Sequence, residues 1–207
     1  MYRVLKTPFF IMMNLHTKIL TLDVAGVPRK WADVETVAEY YAKNKIAWEL
    51  GDHEFTLRGG IQRITGELST ITVRSIVAIR GTEHLVGRTK SPTLSRRMLF
   101  ERDRRVCAYC GVMHDERNLE QEHVVPRAQG GRSAWTNLVT ACTHCNDIKG
   151  NRTPEQADMP LRYLPYVPNA WEGLIMSNRN ILADQMELLM IKAKHFKLMP
   201  RGVNGVN

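Results

Sequence analysis

Four cysteines in two C-x-x-C pairs constrain this chain more than any other feature of its sequence. The pairs are Cys107 with Cys110 and Cys142 with Cys145, and the sequence contains no other cysteine. Two such pairs are the usual ligand spacing of a tetrahedral zinc site, whereas disulfides usually staple small secreted domains. We therefore predict one structural zinc ion, with a redox pair and unrelated buried thiols as the alternatives.

A zinc ion bound by both pairs would hold together the two ends of the segment between them. That segment contains LEQEHVV, a Gly130–Gly131 turn signal and WTNLVTAC, which indicate two short strands joined by a loop. A helix is predicted to begin within CTHCNDIKG and to end at Gly150, because glycine is a frequent C-terminal cap. The segment is thus predicted to fold as ββα with structural zinc at its base.

The residues before the cysteines are predicted to form a small α+β unit. KILTLD, KIAWEL and TITVRSIVAIRG are strand candidates, since β-branched residues are frequent in strands. Asp33 is a candidate cap for a helix, and the apolar residues that follow it have helical spacing. These residues are Val34, Val37, Ala38 and Tyr41. The unit carries no chemical signature, so we expect a structural or DNA-contacting accessory role.

Two helices are predicted after the second cysteine pair. Thr153, Pro154 and Gln156 have the N-cap, first-turn and capping-box positions of a short helix. A longer amphipathic helix is predicted from Asn178, and its apolar stripe is expected to be a core or dimer contact. The stripe consists of Leu182, Met186, Leu189, Ala193 and Phe196. The final residues, PRGVNGVN, are predicted to be disordered.

The complete chain is therefore predicted to be an α+β protein in three parts. Residues 1–90 form the accessory region, residues 91–160 the zinc-containing module, and residues 161–207 a connector, a helix and a disordered tail. No apolar run approaches the ~20 residues that a membrane span needs. The N-terminus resembles a signal peptide only faintly because polar residues interrupt its apolar stretch. We predict a cytoplasmic protein with no membrane partner, and make no prediction of its oligomeric state.

An excess of basic residues favours an anionic partner, and nucleic acid is the commonest. The formal net charge is +8 and the pI is about 9.5. One basic cluster lies in the connector before the first cysteine, and another is spread over the accessory region. Both are candidates for contact with DNA phosphates, and a solvated basic face is the alternative. The clusters consist of Arg88, Lys90, Arg96 and Arg97, and of Arg58, Arg63, Arg74 and Arg80.

Four motifs between Cys107 and Ala157 complete the pattern around the cysteines. They are CAYCG, EHVVPRAQGG, WTNLVTACTHCN and KGNRTPEQA, and they span about a quarter of the chain. Together the motifs resemble the HNH endonuclease family, in the subgroup with two zinc-binding cysteine pairs. The resemblance implies a ββα-metal nuclease module of the kind found in bacterial and phage proteins.

The resemblance also implies a role for each matching residue. His123 matches the general base that deprotonates the attacking water, and Asn137 matches the residue that orients this histidine. Glu122 and Asn146 match the ligands of a catalytic divalent ion, Mg²⁺ or a similar metal. Many family members have histidine at the position of Asn146, and this subgroup more often has aspartate at the position of Glu122. The longer side chain puts metal affinity in question.

Elementary chemistry is consistent with these roles. A neutral imidazole accepts a proton near pH 7, and carboxylate and amide oxygens suit Mg²⁺. An asparagine oxygen accepting Nδ1–H of His123 would leave Nε2 free as the base. Adjacent strand residues point to opposite faces, so Glu122 and His123 can share a site only if the strand ends there. Pro126 and Gly130–Gly131 lie where that break is needed.

Lys149, Arg152 and Arg127 are candidates for binding the substrate phosphate, and a solvated helix end is the alternative for the first two. The sequence therefore predicts a metal-dependent DNA endonuclease, in a bacterial cell or a phage-infected host. A non-catalytic, zinc-stabilised nucleic-acid-binding module is the first alternative. A phage packaging accessory is the second.

Overall fold

The computed structural model describes residues 17–81, 90–198 and 203–204 of the chain. Its strands are β1 to β8, in order Lys18–Leu22, Pro28–Asp33, Ile46–Ile61, Leu68–Ile79, Val112–Met113, Leu119–His123, Leu138–Cys142 and Val203–Asn204. Its helices are α1 to α7, in order Val34–Ala42, Arg96–Arg102, Thr143–Lys149, Pro154–Ala157, Ala170–Ser177, Ala183–Met190 and Lys194–Leu198. The predicted α+β class is confirmed.

The first four strands form one sheet of order β2-β1-β4-β3. β1 pairs antiparallel with β2 and parallel with β4, while β3 and β4 form a long hairpin. β1, β3 and β4 contain the three predicted strands, but β2 was not predicted. Its sequence, PRKWAD, shows no apolar alternation and is half charged. Pairing with β1, which sets Ala32 opposite Ile19, specifies this strand instead.

Apolar side chains cover both faces of this sheet, as the period-2 alternation of its strands requires. On one face Ile19 and Val77 pack with Val34 and Val37 of α1. On the other face the core combines residues of the sheet with residues of the C-terminal helices. That second cluster contains Leu20, Leu22, Ile76, Ala78, Ile175, Leu189 and Ala193. The C-terminal part therefore completes the core of the N-terminal part, although they are far apart in sequence.

Polar contacts fix the C-terminal helices on the sheet. The buried Gln185 of α6 donates Nε2–H bonds to the carbonyls of Lys18, at 2.9 Å, and Ser75, at 2.8 Å. Trp31 of β2 donates its indole N–H to the carbonyl of Leu174 at 3.0 Å. Buried hydrogen bonds of this kind select one docking geometry among the many that apolar contact alone would allow.

The predicted long helix from Asn178 is wrong in its extent, because α6 ends at Met190 and α7 begins at Lys194. No glycine or proline marks the break. Instead Asn169 donates a hydrogen bond to the Lys192 carbonyl, and the buried Glu172 accepts one from the Phe196 N–H. These contacts replace the helical hydrogen bonds that are lost. Met186, Leu189, Ala193 and Phe196 of the predicted apolar stripe lie in or against the core, whereas Leu182 is not part of that cluster.

Most of the tail that was predicted to be disordered lies outside the described residues. Within it, Val203–Asn204 forms β8 and pairs in parallel with β5, so the prediction is wrong for those two residues. None of the helices in the described part of the chain combines the length and the apolar character that crossing a bilayer requires.

The predicted ββα unit is confirmed. β6 and β7 pair antiparallel, and α3 follows directly at Thr143 and ends before Gly150, whose φ is +53°. Thr153 and Gln156 make the predicted capping box of α4. The helix predicted to follow Asp33 also begins where expected, at Val34. Asp33 makes no side-chain cap bond there; it forms an ion pair with Lys18 instead.

A buried ion pair connects α2 to β7. Arg102 and Asp103 are both fully buried, and their side chains are joined at 2.7 Å. The guanidinium also donates to the carbonyls of Trp135 and Leu138, each at 2.7 Å. Asp103 in turn accepts from the Thr140 N–H at 2.8 Å. Since each charged group is satisfied, this network sets the position of β7 and hence of α3 after it.

Candidate metal centre and active site

The four cysteines meet at one point, as their spacing predicts. Their sulfur atoms all lie within 4.8 Å of one another, and all four thiols are free. Cys107, Cys142 and Cys145 are buried, while Cys110 is exposed. Burial opposes a thiolate at Cys107, but hydrogen bonds from the backbone N–H groups of Cys110 and Cys142 outweigh it and lower the pKa of that thiol. Four converging sulfur ligands can hold a structural metal such as zinc.

A polar layer lies between β6 and α3. Glu120 and Glu122 are two residues apart on the strand and therefore share one face, which is turned towards the helix. On α3, Asn146 and Lys149 are three residues apart and share the opposing side. Asn146 donates its Nδ2–H to Glu120, and Lys149 donates its Nζ–H to Glu122 at 2.5 Å. Two carboxylates, an amide and an ammonium are thereby brought into one cluster.

Lys149 is enclosed in this layer and does not reach the surface. Its side chain is fully buried, and Nζ also donates to the carbonyl of His123 at 3.0 Å. Phosphate binding by Lys149 stays a prediction, but in this structure the ammonium pairs with Glu122 instead of facing solvent. The reason is that a buried ammonium is stable only when it is paired, and Glu122 is the nearest anion.

The strand ends at His123, where our prediction requires it to end, but Glu122 and His123 are both still paired with β7. β6 continues to His123, and the two residues pair with Val139 and Leu138 of β7 respectively. Their side chains consequently have different partners. Glu122 contacts α3, whereas His123 contacts the loop between β6 and β7.

His123 lies beside Ser133 and Arg127 of that loop. Its Nε2 is 3.0 Å from the Ser133 hydroxyl and 3.4 Å from Nε of Arg127. Desolvation and the nearby Arg127 cation lower the pKa of His123, and Glu122 opposes them. The imidazole is thus kept in its neutral form, which can accept a proton. Arg127, a predicted phosphate ligand, is exposed next to this imidazole.

Asn137 organises the same loop through hydrogen bonds to its backbone. Its Oδ1 accepts from the Val125 N–H at 2.9 Å, and its Nδ2 donates to the carbonyls of Val125 and Arg132. The expected asparagine bond to Nδ1 of His123 is not among the contacts that the described residues make. Gly131 is needed here, because a Cβ at this position would lie 1.7 Å from the Val125 oxygen. Asn137 is therefore placed to fix the backbone of the loop that adjoins His123.

The other basic residues that were predicted to contact phosphate lie outside the cluster formed by Glu120, Glu122, Asn146 and Lys149. Arg152 is exposed and donates to the carbonyls of Ile148 and Lys149 at the end of α3, where a cation is favourable. In the connector, Arg96 lies over the Phe100 ring and donates to the Leu119 carbonyl at 2.7 Å. Arg88 lies outside the described residues. Phosphate binding by Arg152 and Arg127 stays a prediction.

Two residues of the candidate site were missed in the sequence. Glu120 was detectable, because the alternation in LEQEH puts it on the same face as Glu122. Ser133 gives no sequence signal, since a serine in a polar loop is unremarkable and only the fold of the loop brings it to His123.

Residues 107–162 match the sequence model of the HNH endonuclease family, which confirms the family resemblance for the segment that holds the cysteines, β6, β7 and α3. The match supports a nuclease at the level of the module. A curated relative is the CRISPR-associated endonuclease Cas9 of Corynebacterium diphtheriae, which is 41% identical over 66 residues. The alignment covers 31% of this chain but only 6% of that protein.

A similar solved structure is the Type II-C Cas9 enzyme from Actinomyces naeslundii. The alignment covers 56% of this chain and 12% of that one, with 21% sequence identity and a TM-score of 0.27. A score this low carries no argument about the arrangement of the whole chain. The similarity to nucleases therefore rests on the sequence of residues 107–162.

Proposed function

We propose that this protein is a metal-dependent endonuclease that hydrolyses DNA phosphodiester bonds, with His123 as the general base. The observation that carries the proposal is the convergence of Glu120, Glu122 and Asn146 on the β6–α3 face, next to His123 at the end of β6. These elements lie within the segment that matches the nuclease family. The net charge of +8 supports a polyanionic substrate.

Glu122 and Asn146 would hold the divalent ion, and their oxygen donors fit a hard cation such as Mg²⁺. Glu120 supports this assignment. A carboxylate only accepts hydrogen bonds, so Glu120 takes the Nδ2–H of Asn146 and leaves Oδ1 available as a ligand. When bound, the ion would supply charge neutralisation at the phosphate.

The residues around His123 account for the proton transfer. The lowered pKa keeps the imidazole neutral, so a water placed beside it can lose its proton to the ring. Arg127 would contact a phosphate oxygen from the same loop, since its guanidinium is exposed and lies next to Nε2 of His123. Asn137 would preserve this geometry by closing the loop between β6 and β7.

One observation favours the alternative of a non-catalytic nucleic-acid-binding module. Lys149 already neutralises Glu122, so the polar layer is stable without a second cation. Nuclease activity then requires Glu122 to share its carboxylate between Lys149 and the ion. A protein in which the ion pair is permanent would keep the fold and lose metal-dependent cleavage.

A plasmid-nicking assay with and without Mg²⁺ and a chelator separates these hypotheses. His123→Ala should reduce cleavage by roughly 10²–10⁴-fold, because it removes the general base. Zinc content, melting temperature and DNA affinity should stay at parental values. Gln121→Ala is the matched control, since this exposed residue lies two positions away on the same strand. Cleavage by folded His123→Ala at the parental rate would make the binding module the better hypothesis.

Asn146→Ala tests the divalent site by a different measurement. We expect cleavage to be lost and then partly restored at higher Mg²⁺ or Mn²⁺ concentration, because the damage is to metal affinity. Calorimetric titration of zinc-loaded protein with Mn²⁺ should show weaker binding in Asn146→Ala than in the parent. Equal Mn²⁺ affinity in the two proteins would exclude Asn146 as a ligand.

A further inference from the structure

A basic groove lies at one end of the four-stranded sheet, in a region that the proposed chemistry does not use. Its volume is about 660 Å³. The buried Leu22 and Ile79 form an apolar part of its lining, and Tyr40 of α1 contributes an aromatic ring. Cationic side chains make up much of the rest. They are Arg29, Lys30, Lys45 and Arg80.

Strand register brings these cations together from distant parts of the sequence. Lys30 of β2 pairs with Thr21 of β1, and the neighbouring Leu22 pairs with Ala78 of β4. Just beyond β4, the N–H of Arg80 donates to the carbonyl of Lys45 at 2.8 Å, immediately before β3 begins. The groove therefore crosses the sheet, and its basic character is a property of the fold rather than of one charged run.

The described residues that line the groove do not balance its positive charge. Arg29 is paired with the buried Asp23 at 2.9 Å. Lys30, Lys45 and Arg80 are exposed, and the ion pairs among the described residues include none of these three. The described residues that line the groove include no aspartate or glutamate. Cations held around one concave surface repel each other, so a bound anion would relieve that repulsion.

We propose that this groove binds phosphodiester groups of DNA, as a second contact surface separate from the β6–α3 site. The choice of DNA as the source of phosphate rests on the proposed function. Lysine and arginine at the rim suit phosphate oxygens, and the apolar part of the lining with Tyr40 suits a sugar or base. The accessory region then contributes affinity and orientation, while the zinc-containing module performs the cleavage.

Three neutral substitutions in the full-length, zinc-loaded protein test this surface. Lys30→Gln, Lys45→Gln and Arg80→Gln, combined in one variant, should weaken binding of a short DNA duplex at least tenfold at low salt. The slope of log affinity against log salt concentration should fall by roughly 2.7, since each lost phosphate contact removes about 0.9. The matched control removes the same charge elsewhere. It combines Arg117→Gln, Lys192→Gln and Lys194→Gln, at exposed cations outside the groove.

Equal weakening in the two triple variants would overturn the proposal, because net charge alone would then explain binding. Parental DNA affinity in the groove variant would overturn it as well, and the proposed function would survive if His123→Ala still abolished cleavage. A parent protein that neither binds nor cleaves DNA would contradict both. Inorganic phosphate binding to the parent as tightly as the duplex would assign the groove to a free phosphate compound and overturn the choice of DNA. Melting temperatures of both variants should match that of the parent.

Discussion

The two halves of the molecule bury different kinds of side chain. The four-stranded sheet is covered by aliphatic residues on both faces, with α1 on one side and α5 and α6 on the other. The module of residues 91–160 also has an apolar cluster, but it adjoins the four cysteines, three of which are buried, the Arg102–Asp103 pair and the Lys149–Glu122 pair. The sheet is thus stabilised by many interchangeable contacts, whereas the module depends on a few groups with obligatory partners.

This difference determines how each half should respond to mutation. An apolar core loses free energy in proportion to the volume removed, and it tolerates a replacement of similar size. A buried charge or a metal ligand has no such tolerance, because deleting one partner leaves the other unsatisfied. Substitutions in the module should therefore be more damaging per atom removed than substitutions in the sheet.

The largest effect is expected for Cys142→Ser, which opens the zinc site. Structural zinc contributes apparent binding free energy on the order of 10 kcal/mol, so the module should unfold without it. The unfolded module should neither bind DNA nor cleave it. Hydrogen exchange should then show β6, β7 and α3 unprotected while β1 and β4 stay protected. Loss of protection throughout the sheet would show that the two halves are one cooperative unit. Elemental analysis of the parent checks the premise of one zinc per chain.

The next largest effect is expected for Arg102→Met, which removes the cation but keeps much of the side-chain volume. Asp103 would be left buried without its main partner, at a cost of about 3–5 kcal/mol in the free energy of unfolding. Chemical denaturation measures the loss. The double variant Arg102→Met, Asp103→Asn should recover part of it, because no lone charge remains. If the double variant is no more stable than the single one, the hydrogen bonds of Arg102 matter more than the charge of Asp103.

A smaller effect is expected for Leu189→Ala, at the fully buried centre of the packing between α6 and the sheet. The cavity should reduce the free energy of unfolding by about 2–5 kcal/mol. Leu189→Met, which nearly conserves volume, should cost less than about 1.5 kcal/mol. A comparable loss in both variants would contradict the view that this half is stabilised by volume rather than by specific shape.

The smallest effect concerns the pH profile of cleavage. Arg127 contributes to lowering the pKa of His123, so the neutral imidazole persists to a lower pH than usual. Arg127→Gln should raise that pKa, and the acidic limb of the kcat/KM profile should move to higher pH. Arg132→Gln, at another exposed cation of the same loop, should leave the limb in place. An unmoved limb in Arg127→Gln would mean that His123 is not the group whose titration limits the rate.

The module that contains the four cysteines was largely predictable from sequence because its signals are local. The cysteine spacing, the alternation in β6 and the capping box of α4 each depend on residues close together in the chain. The same holds for Gly150, whose position at the end of α3 follows from glycine's tolerance of positive φ.

Features determined by contacts between distant residues were not predictable. β2 depends on pairing with β1, and the break between α6 and α7 depends on Asn169 and Glu172. The burial of Lys149 is of the same kind. The three-residue spacing correctly predicted that Lys149 and Asn146 share one face of α3. Whether that face meets solvent or Glu122 depends on how α3 packs on β6.

The bonds from Gln185 to Lys18 and Ser75 have a consequence for how the chain folds. Gln185 is 167 residues from Lys18 and 110 residues from Ser75 in sequence. Contacts between residues close in sequence therefore cannot cover this face of the sheet. Forming such contacts requires closing a long loop, whose entropic cost rises with the length of flexible chain inside it. If zinc binding folds the intervening module first, that module acts as a compact spacer and the effective loop becomes much shorter. Metal supply during synthesis would then control how fast the aliphatic core assembles, although that core contains no metal ligand.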